Sequence, residues 1–342
     1  MKKIALIFGF LPCVALAETD AEIALTSALS NVRAQCSSIA NDLAPLKKMA
    51  GISTAVNAAG TAVGAGGLAV GLAKWETDKK VSKSNFDIQV AKLEKSEPNV
   101  NAYNKLRALT VQGNWDEIKK QLTKDLQEYQ KATAPQRQNI QDERESFIQT
   151  ETNNMNKNQR TSDVLGGVRT GLFATNTATN VAGAILSSKT SITDQLGEKI
   201  KACASAIENL KDSQTRVRME DGESANQELL NKTSKIISAC GDYKNADVAA
   251  VNKLAKGGII TGSVGAATGA VATVTSVMDT SNKESKVVFT ETSNDKDYMA
   301  VSHALGGATA VASLVGTILN VKQLKHVKHM ITVSENCEEA LR

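Results

Sequence analysis

The sequence predicts an all-α fold, an elongated helical bundle built from two pseudo-repeated units. Apolar residues recur at spacings of three and four along most of the 342 residues, the mark of helices with one buried stripe. Alternation with a period of two is confined to Lys286–Thr290. Only four prolines interrupt the chain, and aromatics make up 4% of it, so the core has to be aliphatic and small.

The first element is not part of the bundle. Lys2 and Lys3, the apolar run Ile4–Val14 and the A-x-A triplet Ala15-Leu16-Ala17 have the order of a cleavable secretory signal peptide. The run is too short for a bilayer span, which needs about 20 residues. Pro12 stands before Cys13 where a lipoprotein signal would carry a small residue, so Cys13 belongs to the discarded apolar run. Residues 1–17 are therefore expected to be removed, and the destination is the bacterial periplasm, the cell envelope or the medium.

The mature chain opens with a cysteine-bearing helix. Leu25, Leu29, Val32, Cys36, Ile39, Leu43 and Leu46 draw one apolar stripe at spacings of three and four. Residues 51–73 follow, free of charge, with Gly60, Gly64, Gly67 and Gly71 spaced 4, 3, 4. Each glycine inside a helix costs roughly 0.5–1 kcal/mol, so a regular glycine face implies close approach by a neighbour. Further on, Val164-Leu165-Gly166-Gly167 opens an Ala-rich helix uncharged over 170–188. A second cysteine helix then carries Leu196, Ile200, Cys203, Ile207 and Leu210.

The same order returns. Leu229, Thr233, Ile236, Cys240 and Tyr243 form a cysteine stripe, and 257–278 is uncharged, with Gly258, Gly262, Gly265 and Gly269 again spaced 4, 3, 4. The two glycine stripes match at an offset of 198. Ala304-Leu305-Gly306-Gly307 opens a segment uncharged over 304–321, and Met330, Val333, Cys337 and Leu341 close the series. The sequence thus divides into units 18–213 and 214–342, each running Cys-helix, Gly-rich helix, Ala/Gly-rich helix, Cys-helix. They differ by a polar helical insertion over 74–163. It carries the stripe Trp115, Ile118, Leu122, Leu126 and Tyr129, is broken at Pro135, and is expected to project as a partner-binding arm.

Cys36, Cys203, Cys240 and Cys337 are an even set in an exported chain, which favours two disulfides. Four cysteines allow three connectivities. Pairing first with last in each unit gives Cys36–Cys203 and Cys240–Cys337.

Composition narrows the function classes. Without Lys2 and Lys3 there are 38 Lys and Arg against 36 Asp and Glu, a balance that gives no basic footprint for nucleic acid. No nucleophile elbow, H-E-x-x-H helix, phosphate loop or EF-hand loop is present. His303, His326 and His329 do not make a zinc set, and the cysteines lack C-x-x-C spacing. No enzyme, metal or cofactor is expected. The expected role is structural, in a scaffold or interaction protein that binds a protein partner or itself through the 74–163 insertion or the glycine faces. The alternative is a membrane-inserting effector, a pore or an anchor, using 51–73, 170–188, 257–278 and 304–321. Asn57, Asn176 and Asn180 weigh against insertion. The basic flank Lys322, Lys325, His326, Lys328 and His329 suits either a helix C-terminus or anionic lipid.

Overall fold

The computed structural model describes residues 19–95, 104, 115–222, 226–281 and 293–342. The signal peptide over 1–17, the punctuation at Pro98 and Gly113, and the strand-like stretch 286–290 lie outside the described residues. Among the described residues the fold is all helix. In chain order the elements are α1 (Asp20–Cys36), α2 (Ile39–Lys95), α3 (Trp115–Lys131), α4 (Ala134–Ser188), α5 (Asp194–Glu220), α6 (Gln227–Cys240), a 3-10 turn (Gly241–Asn245), α7 (Val248–Ser281) and α8 (Ser293–Leu341).

The helix starts are written locally. Thr19 Oγ1 accepts from the Glu22 amide at 3.1 Å, and Thr193 and Asn226 cap α5 and α6 in the same way. Pro135 sits in the first turn of α4, where its missing N–H costs no hydrogen bond, and Gln136 Oε1 accepts from the Thr133 amide at 2.8 Å.

Two sequence expectations need correction. The first stripe is not one helix: Ser37 is extended and Ser38 has φ 68°, so the chain breaks between α1 and α2. Serine hydroxyls compete for local hydrogen bonds and weaken helices, and Ser38 Oγ is held by Lys199 Nζ at 2.7 Å. The stripe survives the break, for Leu25, Leu29, Val32, Cys36, Ile39 and Leu43 are all buried. Conversely, Val164 and Ala304 open no helices. They lie inside α4 and α8, which run through the predicted boundaries because no breaker interrupts them.

Compactness also divides the chain differently from the repeat. One unit, the disulfide unit, comprises residues up to Lys48 with Ser191–Asn252 and Leu324–Arg342. The other, the glycine unit, comprises Met49–Thr190 with Lys253–Gln323. The bounds 18–213 and 214–342 therefore do not delimit the compact bodies. α2, α7 and α8 each cross from one unit to the other, α4 lies wholly in the second, and the cysteines sit on α1, α5, α6 and the end of α8 in the first; the 74–163 insertion belongs to the second.

Candidate functional site

The disulfide unit has an ordinary aqueous core. Ile200, Leu210, Val217, Ile236, Val251 and Val327 are buried together with the stripe of α1. Cys36–Cys203 (S–S 2.08 Å) ties the end of α1 to α5, and Cys240–Cys337 (2.01 Å) ties the end of α6 to α8. All four sulfurs lie in apolar stripes at 0% exposure, which is why the expected pairing is the one formed. Some polar groups of this core are satisfied locally, as where Gln214 Nε2 donates to Thr233 Oγ1 at 2.8 Å, whereas Tyr243 Oη, Ser334 Oγ and Glu338 Oε1 are buried without a hydrogen-bond partner among the described residues.

The glycine unit is the reverse. Parts of α2, α4, α7 and α8 make a four-helix bundle. Ser53 meets Ser187 and Asn320, whereas Gly71 meets Arg169 and His303, so α4 and α8 run antiparallel to α2. Gly258 against Ser187 and Ser276 against Arg169 place α7 antiparallel to α4 as well. Inside this bundle stand Ser53, Asn57, Asn176, Asn180, Ser187, Thr309, Ser313 and Asn320, each at most 2% exposed. Phe173 is the one large aromatic among them, at 1%.

The eight predicted glycines, Gly60, Gly64, Gly67, Gly71, Gly258, Gly262, Gly265 and Gly269, are all buried in this interior. They act as sockets. A Cβ on Gly64 would stand 2.5 Å from Asn176 Nδ2, one on Gly67 2.7 Å from the Phe173 ring, and one on Gly269 2.5 Å from Thr177 Oγ1. Gly265 receives the amide of Asn180, and Gly71 the ring of His303. At Gly262 the neighbours are backbone, Ala184 N and Asn180 O both at 2.9 Å, so there two helices touch directly. Because the chain's own helices fill these faces, association through the glycines has no free surface in this conformation.

The sockets hold a polar file. Asn180 Nδ2 donates to Asn176 O at 2.9 Å, and Ser313 Oγ donates toward Asn176 Oδ1 (3.2 Å) and Asn180 Oδ1 (3.1 Å). Asn320 Nδ2 donates to Ser53 Oγ at 2.8 Å, and Gln323 Nε2 to Thr190 O at 2.9 Å. The opposite end of the bundle is charged. Lys74 Nζ lies 2.6 Å from Asp78 Oδ2 and 3.1 Å from Asp279 Oδ2, while Arg169 Nη2 reaches Asp279 Oδ2 at 2.6 Å. Arg169 Nε also donates to Ser276 Oγ at 2.9 Å. Lys74 and Arg169 are both at 0% exposure, which only this pairing makes tolerable.

The outside of the same bundle is apolar. Ile52 and Leu72 on α2, Val164, Val168, Val181 and Ile185 on α4, Ile260, Val264, Val271 and Val274 on α7, and Val311, Leu314 and Ile318 on α8 are all exposed. Val164, Ile260 and Val311 are 60% exposed or more. Stretches within Asp20–Lys95, Gln227–Thr280 and Tyr298–Leu341 are long and apolar enough to cross a membrane. Beyond the uncharged zone, the arm made by α3 and the start of α4 packs on α2, where Arg144 Nε pairs with Glu94 at 3.0 Å and Arg144 Nη2 with Asp125 at 3.4 Å. Burial pushes Glu94 up to about 7, against the pull of Arg144, with Asp125 adding to the rise.

Sequence reasoning picked out the glycines but missed what they receive. The asparagines recur at 57, 176 and 180 on the glycine-facing sides of their helices. That register, visible in the sequence, marks them as interior rather than merely unfavourable. The buried Lys74, Arg169 and Asp279 stand at the ends of uncharged segments, and no local pattern singles them out. Among the described residues no group of three His, Cys, Asp or Glu is placed to hold a metal. Compared with known proteins, the chain matches no family model, no curated protein and no solved structure.

Proposed function

We propose that this is an exported, non-catalytic envelope protein whose glycine unit inserts into a lipid bilayer, leaving the disulfide unit and the α3–α4 arm in water to serve as scaffold and binding surface. One observation carries the proposal: polarity is inverted in the glycine unit, with amides, hydroxyls and ion pairs inside and Val, Ile and Leu outside. In water, such an outside leaves a far larger apolar surface exposed than monomers tolerate. In hydrocarbon it is the expected arrangement, since polar side chains there turn inward and small residues let helices approach.

The dimensions agree. The four uncharged segments hold 18 to 23 residues, or about 27–35 Å at ~1.5 Å per residue, against a hydrocarbon core of ~30 Å. The asparagines that weighed against insertion no longer do so, because their amides are taken up inside the bundle. At the end where Ser53, Ser187 and Asn320 meet, Lys189, Lys253, Lys256 and Lys322 are exposed. No Asp or Glu occurs in 49–57, 181–190, 253–263 or 312–323, so this collar suits anionic headgroups.

Flotation with vesicles containing anionic lipid tests the proposal. The purified mature chain is expected to float and to resist carbonate extraction. The double variant Val264→Glu, Val315→Glu places two carboxylates on the outer face and is expected to stay behind, since each charge costs about 2.5–3.5 kcal/mol in hydrocarbon. A wild-type chain that remains monomeric in the aqueous phase without detergent would overturn the proposal.

A further inference from the structure

We propose that the polar interior of the glycine unit is a closed conduction path for water and small inorganic anions such as chloride, with Phe173 as its gate. The proposal rests on the membrane reading above and adds an activity to it.

The polar file runs the length of the bundle except at one level. There the Phe173 ring is pinched between two glycines, so that a Cβ on Gly67 would stand 2.7 Å and one on Gly306 2.5 Å from ring atoms. Phe173 separates the charged layer at Arg169 from the amide layer at Asn176. All three share one face of α4, at i, i+4 and i+7. A narrow apolar ring in an otherwise polar path excludes water and stops ions until it moves.

The groups on either side of the ring are unfinished. Arg169 Nη1 and Asn176 Nδ2 are fully buried, and neither has a hydrogen-bond partner. A buried donor left without an acceptor costs about 1–3 kcal/mol, and water or an anion entering the lane would complete both. Asn176 Nδ2 points at the bare backbone of Gly64, inside the lane. A third unpaired atom, His303 Nε2, faces Gly71 beside Arg169. His303 Nδ1 lies 2.8 Å from Met299 O and donates there, which leaves Nε2 as the ring atom turned to the lane.

Donors flanking the constriction favour an anion. Asp78 and Asp279 balance Lys74 and Arg169 in the charged layer, so that end does not repel anions. The exposed lysines at the other end concentrate them at the mouth. Glycines at the gate leave the ring room to swing without moving a helix, because the Phe173 ring supplies the nearest atoms at both Gly67 and Gly306.

The test is chloride entry into vesicles carrying the reconstituted chain, followed with an entrapped halide-quenched dye, on preparations whose flotation has been checked. Wild type is expected to be slow. Phe173→Leu should raise the rate severalfold and Phe173→Ala at least tenfold, without release of entrapped calcein and with sodium entry lagging chloride. Phe173→Cys should open the path and then be closed by an anionic thiol reagent, since the described cysteines of the chain are already paired. If the variants float, remain helical and are as chloride-tight as wild type, the path does not exist. Calcein release in step with chloride would also overturn it, by showing a general leak. A wild-type chain that does not float refutes the membrane reading instead, a different and separable result.

Discussion

The two compact units share three helices, α2, α7 and α8, and solve packing in opposite ways. In the disulfide unit, leucine, isoleucine and valine point inward and two covalent bridges clamp the helix ends. In the glycine unit the interior is amide, hydroxyl and ion pair seated in glycine sockets, and the aliphatic side chains point out. The hydrophobic effect explains the first arrangement in water. It explains the second only if the surroundings are themselves apolar. The difference teaches that one helix can reverse the polarity of its buried face along its length, and that burial has to be read residue by residue before a helix is assigned to an environment.

The sharpest way to break the comparison is to remove the clamps. Replacing Cys240 and Cys337 with serine opens a loop of 97 residues, which is worth about 4.7 kcal/mol in the denatured ensemble. Segment-resolved hydrogen exchange should show protection lost over Ser191–Asn252 and Leu324–Arg342, with Met49–Thr190 little changed. Equal loss in both units would mean that they are not energetically distinct.

A smaller effect is expected from filling one socket. Gly265→Ala drives a methyl into the Asn180 amide and should cost about 1–3 kcal/mol in detergent. Val264→Ala, one residue away on the outer face, should stay within about 0.5 kcal/mol. Matching losses at the two positions would erase the distinction between inside and outside.

The smallest expected effect is on the arm. Glu94 titrates near 7 in the folded chain, above its ordinary 4.5. The folded state therefore holds a proton that the unfolded chain releases, and stability falls as pH rises from about 4.5 to 7. Protection factors of α3 amides, corrected for the intrinsic pH dependence of exchange, should fall over that window in wild type and stay flat in Glu94→Gln. A wild-type arm indifferent to pH would place Glu94 in water.

How much of this was legible varies by element. The stripes through Cys36, Cys203, Cys240 and Cys337 identified helices and buried faces, but left three pairings open until the structure joined Cys36 to Cys203 and Cys240 to Cys337. The glycine registers were equally plain, as a spacing of 4, 3, 4 puts all four on one face. The break at Ser37–Ser38 was not legible, since the apolar pattern runs through it unshifted. Nor were the sockets. A glycine face announces that something comes close, but Asn176 against Gly64 and Phe173 against Gly67 depend on which helix lies opposite and in which direction it runs.

By itself, the sequence determined the helical class, the uncharged lengths and the faces that had to be buried, because these follow from periodicity along a single chain. Only the tertiary structure decided that the cysteine ends and the glycine stretches form separate compact bodies, that Asn57, Asn176 and Asn180 lie inside, and that Lys74, Arg169 and Asp279 form one buried ion network. Those outcomes depend on residues about 100 or more positions apart coming within hydrogen-bond reach, as Arg169 and Asp279 do at 2.6 Å, and no local pattern encodes that meeting.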